Sequence, residues 1–280
     1  MNVNNTAKGF IPEIYTASIY RTLEDNLILN KIFKAPVKGE GDTFHFTDLE
    51  DPTISTYTGT LTSESLKDSN IKMEIDNTKT FCFDVSDLDR LMANVDLKHS
   101  QSQRSAYSLK NAVERHVLTD IGTDANAGTA LSATITSANV LSQMSELARM
   151  LEENNVDQSN MWLAIPPWLR LKLQIAGVSF SINEGVNGKG GMFWTKDLGF
   201  DVYVSNTIYN SGSQATPVST VLAGSYQACG YKDKMLNTRT NESLTSRKIQ
   251  IDGGVAYGFK TVKPKELAKG VFTFGAETTI

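Results

Sequence analysis

The fold is decided by residues 71–122, which read IKMEIDNTKTFCFDVSDLDRLMANVDLKHSQSQRSAYSLKNAVERHVLTDIG. Residues 71–75 alternate apolar with polar side chains, and a second alternating run covers residues 81–85. Alternation with a period of two predicts strands that have one solvated face. Read as one continuous element, the two runs form an extended arm of about 15 residues, roughly 50 Å long.

Residues 101–122 predict a long helix. Small or apolar residues recur there every three or four positions, at Ser102, Ala106, Leu109, Val113, His116/Val117 and Ile121. The residues between them are polar, namely Arg104, Lys110, Glu114 and Arg115. Gly122 provides a natural end to a helix of about 33 Å. Because the apolar stripe is narrow, the helix is half solvated, which is typical of an elongated subunit that has neighbours.

Composition excludes several classes of protein. The 280 residues carry a net charge of −4, which argues against wholesale neutralisation of nucleic acid or anionic lipid but leaves room for a local basic patch. We expect no secretory signal and no membrane span, because the sequence has no long apolar run. The cysteines Cys82 and Cys229 are far apart in sequence, and we expect both to be reduced thiols.

The middle of the chain alternates predicted helices and strands. We expect strands at 161–165, 200–204 and 220–224, and helices at 138–153, capped by Ser137, and at 168–174. The former helix has apolar positions Val140, Leu141, Met144, Leu147, Ala148 and Leu151. Residues 122–136 are interpreted as a loop, and residues 248–262 as a strand broken at Gly253 and Gly254. This part is therefore α/β or α+β, with a core of its own.

Residues 36–86 are interpreted as a long two-stranded excursion. Residues 53–69 at its tip are rich in Ser and Thr and have no periodic apolar face. A two-stranded ribbon is marginally stable alone, and its unpaired edges invite another chain. The candidate inter-subunit contacts are the scattered apolar residues of this tip, Ile54, Tyr57, Leu61 and Leu66.

The sequence contains no recognisable catalytic motif. The glycine-rich segment 185–191 fails the P-loop pattern, since position 183 is Asn and Lys189 is followed by Gly190. The three histidines, His45, His99 and His116, lack metal-ligand spacing, and Ser225 is not in a nucleophile elbow. We interpret Asp87 as a cap and the lysines at 260, 263 and 265 as a solvated face. We therefore expect no catalytic residue, cofactor or metal.

Several phrases resemble tailed-phage major capsid proteins, and they occur in the same order over nearly the whole chain. They are residues 11–15 (IPEIY), 41–43 (GDT), 81–96, 164–168 (AIPPW), 199–206 (GFDVYVSN), 221–225 (VLAGS) and 257–264 (YGFKTVKP).

The resemblance implies an α+β Hong Kong 97-type capsid fold with five parts. These are an N-terminal arm at 1–34, an extended hairpin (E-loop) at 35–86, a peripheral domain at 87–127 with a spine helix from about 97 to 122, an axial domain at 128–246, and returning peripheral strands at 247–280. Some members crosslink subunits through a lysine–asparagine bond. No motif here carries that chemistry over, although Lys67 and Lys72 flank the tip.

The same resemblance implies a non-enzymatic subunit that assembles with itself, through hexamers and pentamers, into an icosahedral or prolate shell around double-stranded DNA. It implies a virion location after assembly in a bacterial cytoplasm, with a portal protein and non-specific proximity to the DNA. A separate scaffolding protein is expected, since no long scaffolding segment is evident. Two alternatives stay open: an encapsulin-like compartment shell of the same fold, and an enzyme with an unrecognised site in 128–246.

Overall fold

The computed structural model describes residues 28–36, 43–49, 68–86, 97–123, 130–178, 192–195, 199–213, 215–242 and 248–276. Within these ranges the helices are α1 (Leu29–Ile32), α2 (Leu97–Thr123), α3 (Val140–Glu152) and α4 (Pro167–Ile175). The strands are β1 (Thr43–Leu49), β2 (Asp68–Glu74), β3 (Asn77–Ser86), β4 (Ala130–Ile135), β5 (Met161–Ile165), β6 (Met192–Thr195), β7 (Phe200–Val204), β8 (Asn210–Gly212), β9 (Pro217–Ser225), β10 (Cys229–Glu242), β11 (Lys248–Thr261) and β12 (Leu267–Phe274).

The largest sheet in the described part of the chain has the strand order β4-β12-β9-β5-β7-β6, and β8 also pairs with β9. Strands β12 and β4 are parallel, as are β5 and β7, whereas the other pairs are antiparallel. The three strands predicted in this region, β5, β7 and β9, lie side by side at its centre. The mixture of helices with antiparallel and mixed sheets confirms the α+β class.

Apolar side chains cover both faces of this sheet. On β5, Met161, Leu163 and Ile165 pack into a core with α3 and α4. Trp162 and Ala164 point to the opposite face and pack into a core that contains α2. Because successive side chains of a strand alternate between faces, a strand that is covered on both sides reads as a continuous apolar run. The prediction that this run is a buried strand is confirmed.

Helix α2 lies where the large sheet meets a second sheet of order β10-β11-β3. Its stripe of Leu109, Val113, Val117 and Ile121 is at most 4% exposed and shares one core cluster with residues of both sheets. The predicted long helix with one buried stripe is therefore confirmed.

The extended arm differs from the sequence-based expectation. The chain leaves its strand conformation at Ile75 and Asp76, so the single long strand becomes β2 and β3. Strand β2 pairs with β1 in a two-stranded ribbon, whereas β3 pairs with β11. Alternation of side chains does not reveal this division, because both strands keep the same period while changing partners.

Two other expectations about strands are wrong. Residues 130–135 are not loop but the sheet-edge strand β4, whose small, half-exposed residues give a weak sequence signal. Strand β11 is not broken at Gly253 and Gly254 but continuous. The irregularity lies in its partner β10, where Asn237 and Thr238 stand opposite Gly253 alone. This two-against-one pairing is a β-bulge.

The start of α3 also differs from the prediction. Its N-cap is Asn139 rather than Ser137, which lies in the preceding turn. The Asn139 side chain does not cap the helix but accepts from the Thr136 amide and donates to the Thr134 carbonyl. Leu141, which was expected on the buried stripe, is 36% exposed.

The final segment is divided between the two sheets. Strand β11 lies in the three-stranded sheet and β12 in the large sheet, although 247–280 was predicted as one set of peripheral strands. The five domain boundaries stay predictions. The glycine-rich segment 185–191, the proposed cap Asp87 and residues 53–67 of the hairpin tip lie outside the described residues, whereas residues 68 and 69 begin β2.

We predict that Val113→Asp prevents soluble folding. Val113 is fully buried in the core around α2, so the variant places an unpaired carboxylate there at a cost of about 3–5 kcal/mol. The matched control is Ala112→Asp, because the adjacent Ala112 is exposed on the same helix. Soluble yield and cooperative thermal unfolding measure the effect. Normal unfolding of the Val113 variant would contradict the position assigned to this helix.

Candidate inter-subunit hairpin and its anchor

The ribbon of β1 and β2 is the part of the described chain that leads to the candidate inter-subunit tip. Its register places Phe44 opposite Met73 and Phe46 opposite Ile71. Phe44, Phe46 and Met73 are buried and form a small apolar cluster with Val262. The ribbon therefore has its own attachment to the body of the subunit, at the point where β11 ends.

Two glycines allow this attachment. A Cβ atom at Gly230 would lie 2.1 Å from the Phe46 ring, and one at Gly258 would lie 2.2 Å from the Glu74 carbonyl oxygen. Both distances are far below van der Waals contact, so β10 and β11 can receive the ribbon only where they lack side chains. Lys234 also places its ammonium 5.7 Å from the Phe44 ring centroid, within the range of a cation–π contact.

The segment that contains α1 is fixed to the same strand, β10. The Lys34 amide donates to the Cys229 carbonyl at 2.9 Å, and the Tyr231 amide donates to the Lys34 carbonyl at 3.2 Å. Leu29 and Ile32 are fully buried beside α2. The hairpin ribbon and the segment before it therefore converge on Gly230 and its neighbours.

Glu114 joins this segment to α2 and to the large sheet. Its Oε1 accepts from the Ile28 amide at 2.7 Å, and its Oε2 accepts from the Thr207 hydroxyl at 2.9 Å. The Thr207 hydroxyl is in turn 2.6 Å from the Ser205 hydroxyl. Glu114 is fully buried, although its sequence spacing placed it among the polar residues of the helix. Burial raises the pKa of its carboxyl above the usual range, while the bond from Ile28 acts in the opposite direction.

The predicted contact residues Ile54, Tyr57, Leu61 and Leu66 all lie outside the described part of the chain. Their role stays a prediction. The attachment of the ribbon at Gly230 and Gly258, which we call the anchor, was not predicted from the sequence, because neither glycine belongs to a recognisable turn motif. The available signal for both was a glycine inside a strand pattern, which often marks close approach of another chain segment.

Two of the residues considered for catalysis, His116 and Ser225, have structural contacts. The His116 Nδ1 atom is 3.0 Å from the Tyr257 hydroxyl, its Nε2 atom is 3.6 Å from Asp120, and its ring packs edge-on against Tyr257 and Phe259. Ser225 is buried, and its hydroxyl accepts from the Gln227 amide. Among the described residues, no three His, Cys, Asp or Glu side chains lie close enough to hold a metal ion.

Nor does any helix in the described ranges have the length and apolar character needed to cross a membrane. Cys82 is exposed and Cys229 is buried, and the two do not form a disulfide.

No protein-family model matches the sequence, and no curated protein matches it either. Solved structures do match. A structure from Mycobacterium phage Che8 has a TM-score of 0.68 at 16% identity, covering 87% of this chain and 90% of that one. The capsid structure of cyanophage P-SCSP1u has a TM-score of 0.63 at 17% identity, covering 89% of each chain. A virus-like particle from Pyrococcus furiosus has a TM-score of 0.58 at 14% identity, covering 92% and 97%.

The chain has the Hong Kong 97-type capsid fold. The predicted fold is thus confirmed over about nine tenths of the chain. The low identities mean that the agreement lies in the path of the backbone.

We predict that Gly230→Ala lowers the free energy of unfolding by about 1–3 kcal/mol, because the added methyl group overlaps the Phe46 ring. In a Phe46→Leu background the same substitution should cost less, since the overlapping ring atoms are gone. Urea unfolding of the four proteins measures this coupling. Equal costs in the two backgrounds would show that the Phe46 ring does not require glycine at position 230.

We also predict that Glu114→Gln changes how stability depends on pH. Since the folded carboxyl has a raised pKa, its contribution is fully present below the ordinary glutamate value of 4.5 and is lost as pH rises through the raised value. Glutamine keeps an acceptor for the Ile28 amide but cannot ionise. The free energy of unfolding of the variant, relative to that of the wild type, should therefore rise as pH increases from about 4.5 through the raised pKa, and should be constant above it. The slope is at most about 1.4 kcal/mol per pH unit.

Urea unfolding between pH 4 and 8 measures this difference. Glu114→Ala is the contrasting variant, because it leaves the Ile28 amide without its acceptor, at a cost of about 1–3 kcal/mol. A constant difference between the glutamine variant and the wild type at every pH would show that Glu114 does not titrate as its burial implies.

Proposed function

We propose that this chain is a major capsid protein, which assembles with itself through hexamers and pentamers into an icosahedral or prolate shell around double-stranded DNA. The observation that carries the proposal is the agreement with the cyanophage capsid structure, which extends over 89% of both chains. If the chain shared only one domain with the capsid structure, the rest of it could have a different activity. Agreement over nearly the whole length favours a common role.

The hairpin supports this proposal physically. Its ribbon is fixed to the subunit through Phe46 against Gly230, and its last described pair is Leu49 with Asp68, whose strands residues 50–67 join in sequence. A two-stranded ribbon needs a surface to be stable. We infer that a neighbouring copy supplies that surface for Ile54, Tyr57, Leu61 and Leu66.

Helix α4 offers a second candidate contact between copies. Leu171 and Ile175 are 54% and 55% exposed, and their spacing of four residues places them on one face of the helix. Each contact of this kind is weak by itself. In a closed shell the contacts sum over many copies, so no single interface has to be strong.

The proposal extends to the partners and the location. We propose that the subunit acts with a separate scaffolding protein and a portal protein, has no catalytic role, and ends in the virion after assembly in the bacterial cytoplasm. Double-stranded DNA is the proposed content of the shell.

A compartment shell of the encapsulin type is the second candidate. It is favoured by the likeness to the Pyrococcus furiosus virus-like particle, which covers 97% of that chain. Particles purified from cells distinguish the two, because a compartment encloses a protein cargo whereas a phage capsid encloses DNA.

We predict that replacing residues 51–66 with a short Gly-Ser turn stops assembly while leaving the subunit folded. Strands β1 and β2 and their anchor remain intact, so circular dichroism and cooperative melting should change little. Sedimentation should find monomers or single capsomers. The milder variant Ile54→Ser/Tyr57→Ser/Leu61→Ser/Leu66→Ser should weaken assembly in the same direction. Full-sized particles from the shortened protein would exclude the tip as a contact between subunits.

A further inference from the structure

The solvated face of α2 carries an ordered strip of cationic and hydrogen-bonding side chains. Arg104, Ser108, Asn111 and Arg115 follow one another at intervals of four, three and four residues, which places them on one face of the helix. Both arginines are exposed. At 1.5 Å per residue, the strip is about 16 Å long.

Lys79 of β3 extends this strip across an open groove of about 620 Å³ between α2 and the neighbouring strand. The helix lines the groove with Ser108, Asn111, Ala112, Arg115, His116, Thr119 and Asp120. We call this surface, formed by Lys79, Arg104, Ser108, Asn111 and Arg115, the basic strip. Its side chains come from two elements that the core holds together, so their spacing is fixed by the fold.

Helix α2 carries few acidic side chains before Asp120. From Leu97 to Thr119 the helix contains one acidic residue, Glu114, and that residue is fully buried and accepts two hydrogen bonds. Asp120 closes the far end of the groove, where it lies 3.6 Å from the His116 ring. In a chain whose net charge is −4, this concentration of positive charge is a local departure from the average.

We propose that the basic strip binds the sugar–phosphate backbone of double-stranded DNA without reading its sequence. Lysine, arginine, serine and asparagine are the donors that proteins use for phosphate oxygens. One DNA strand presents a phosphate about every 3.4 Å along the axis, so a strip of about 16 Å faces several of them. This inference rests on the proposed shell function, and it assigns the DNA-facing surface of the subunit to the solvated side of α2.

An acidic protein segment is the competing ligand, and the lining of the groove disfavours it. Protein segments obtain most of their binding energy from a few buried aromatic or aliphatic anchors. Ala112 is the one residue with an apolar side chain among those that line the groove, and its methyl group offers little surface to such an anchor. Charge without an apolar anchor suits a polyanion whose affinity comes from counterion release.

The test uses the unassembled full-length chain and a fluorescently labelled duplex of 30 base pairs with mixed sequence. The strip variant is Lys79→Gln/Arg104→Gln/Arg115→Gln. The control variant, Lys248→Gln/Lys260→Gln/Lys265→Gln, removes the same charge elsewhere. Lys248 and Lys260 lie on the face of β11 opposite Tyr257, which packs against α2, since side chains alternate along a strand.

Fluorescence anisotropy at 50–200 mM salt should show wild-type binding that weakens steeply as salt rises. The strip variant should bind at least about tenfold more weakly at 50 mM salt, and its plot of log K against log salt should be flatter by about two to three. Arg104→Gln or Arg115→Gln alone should each flatten the slope by about one. The control variant should bind like the wild type.

Three outcomes would overturn the proposal: no binding by the wild type at 50 mM salt, equal losses in the strip and control variants, or tighter binding of a labelled polyglutamate peptide than of the duplex. The last outcome would assign the strip to an acidic protein segment. Negative-stain microscopy of the same proteins judges the shell proposal separately. Closed particles without strip-dependent DNA binding refute the strip alone, whereas absence of wild-type particles even when a scaffolding protein is supplied refutes the shell function itself.

Discussion

The structure depends on the burial of one face of helix α2 at the junction of two sheets. A single core cluster contains Val113 and Val117 of the helix together with Trp162 of the large sheet and Tyr257 of the three-stranded sheet. Neither sheet can complete that core alone, because the helix supplies the side chains that fill the space between them. The second core, between the large sheet and α3 and α4, is by contrast local to one part of the chain. One shared apolar interface therefore fixes the position of the two sheets relative to each other. The ribbon of β1 and β2 and the segment that contains α1 contact the three-stranded sheet, so the same interface also fixes their positions.

The Glu114 carboxylate is present in this interface because it accepts hydrogen bonds from two buried donors. A leucine at this position would bury a similar volume, but the Ile28 amide and the Thr207 hydroxyl would lose their acceptor inside the core. Such a loss costs more than an average hydrogen bond contributes, because the groups have already left water. The carboxylate thus fixes the segment before the hairpin in one register against the helix. Apolar packing alone, which tolerates sliding between surfaces of similar shape, would specify that register less strictly.

Sequence reasoning recovered the elements whose own periodicity determines them and missed those determined by a partner. Helix α2 carries an apolar stripe at helical spacing and strand β5 is a continuous apolar run, and both are where they were expected. Strand β4 is a sheet edge of small residues, and the division between β2 and β3 depends on which strand each one pairs with. The candidate site followed the same rule. The sequence indicates that the hairpin must pack against another surface. It does not indicate the contact of Phe46 with Gly230, because these residues are 184 positions apart and share no local pattern.

The distribution of charge follows from the same architecture. The inner face of helix α2 is buried in the core, so core packing determines which residues can occupy it. The exposed positions are not constrained in this way, and several of them are positively charged. At physiological salt the Debye length is about 8 Å, so a ligand on this face responds to side chains within about that distance. The strip is about twice as long as that. Acidic residues that lie farther than about 8 Å from the strip are therefore largely screened from a ligand bound there. A subunit can thus be acidic as a molecule and still present one cationic surface, which net charge by itself does not predict.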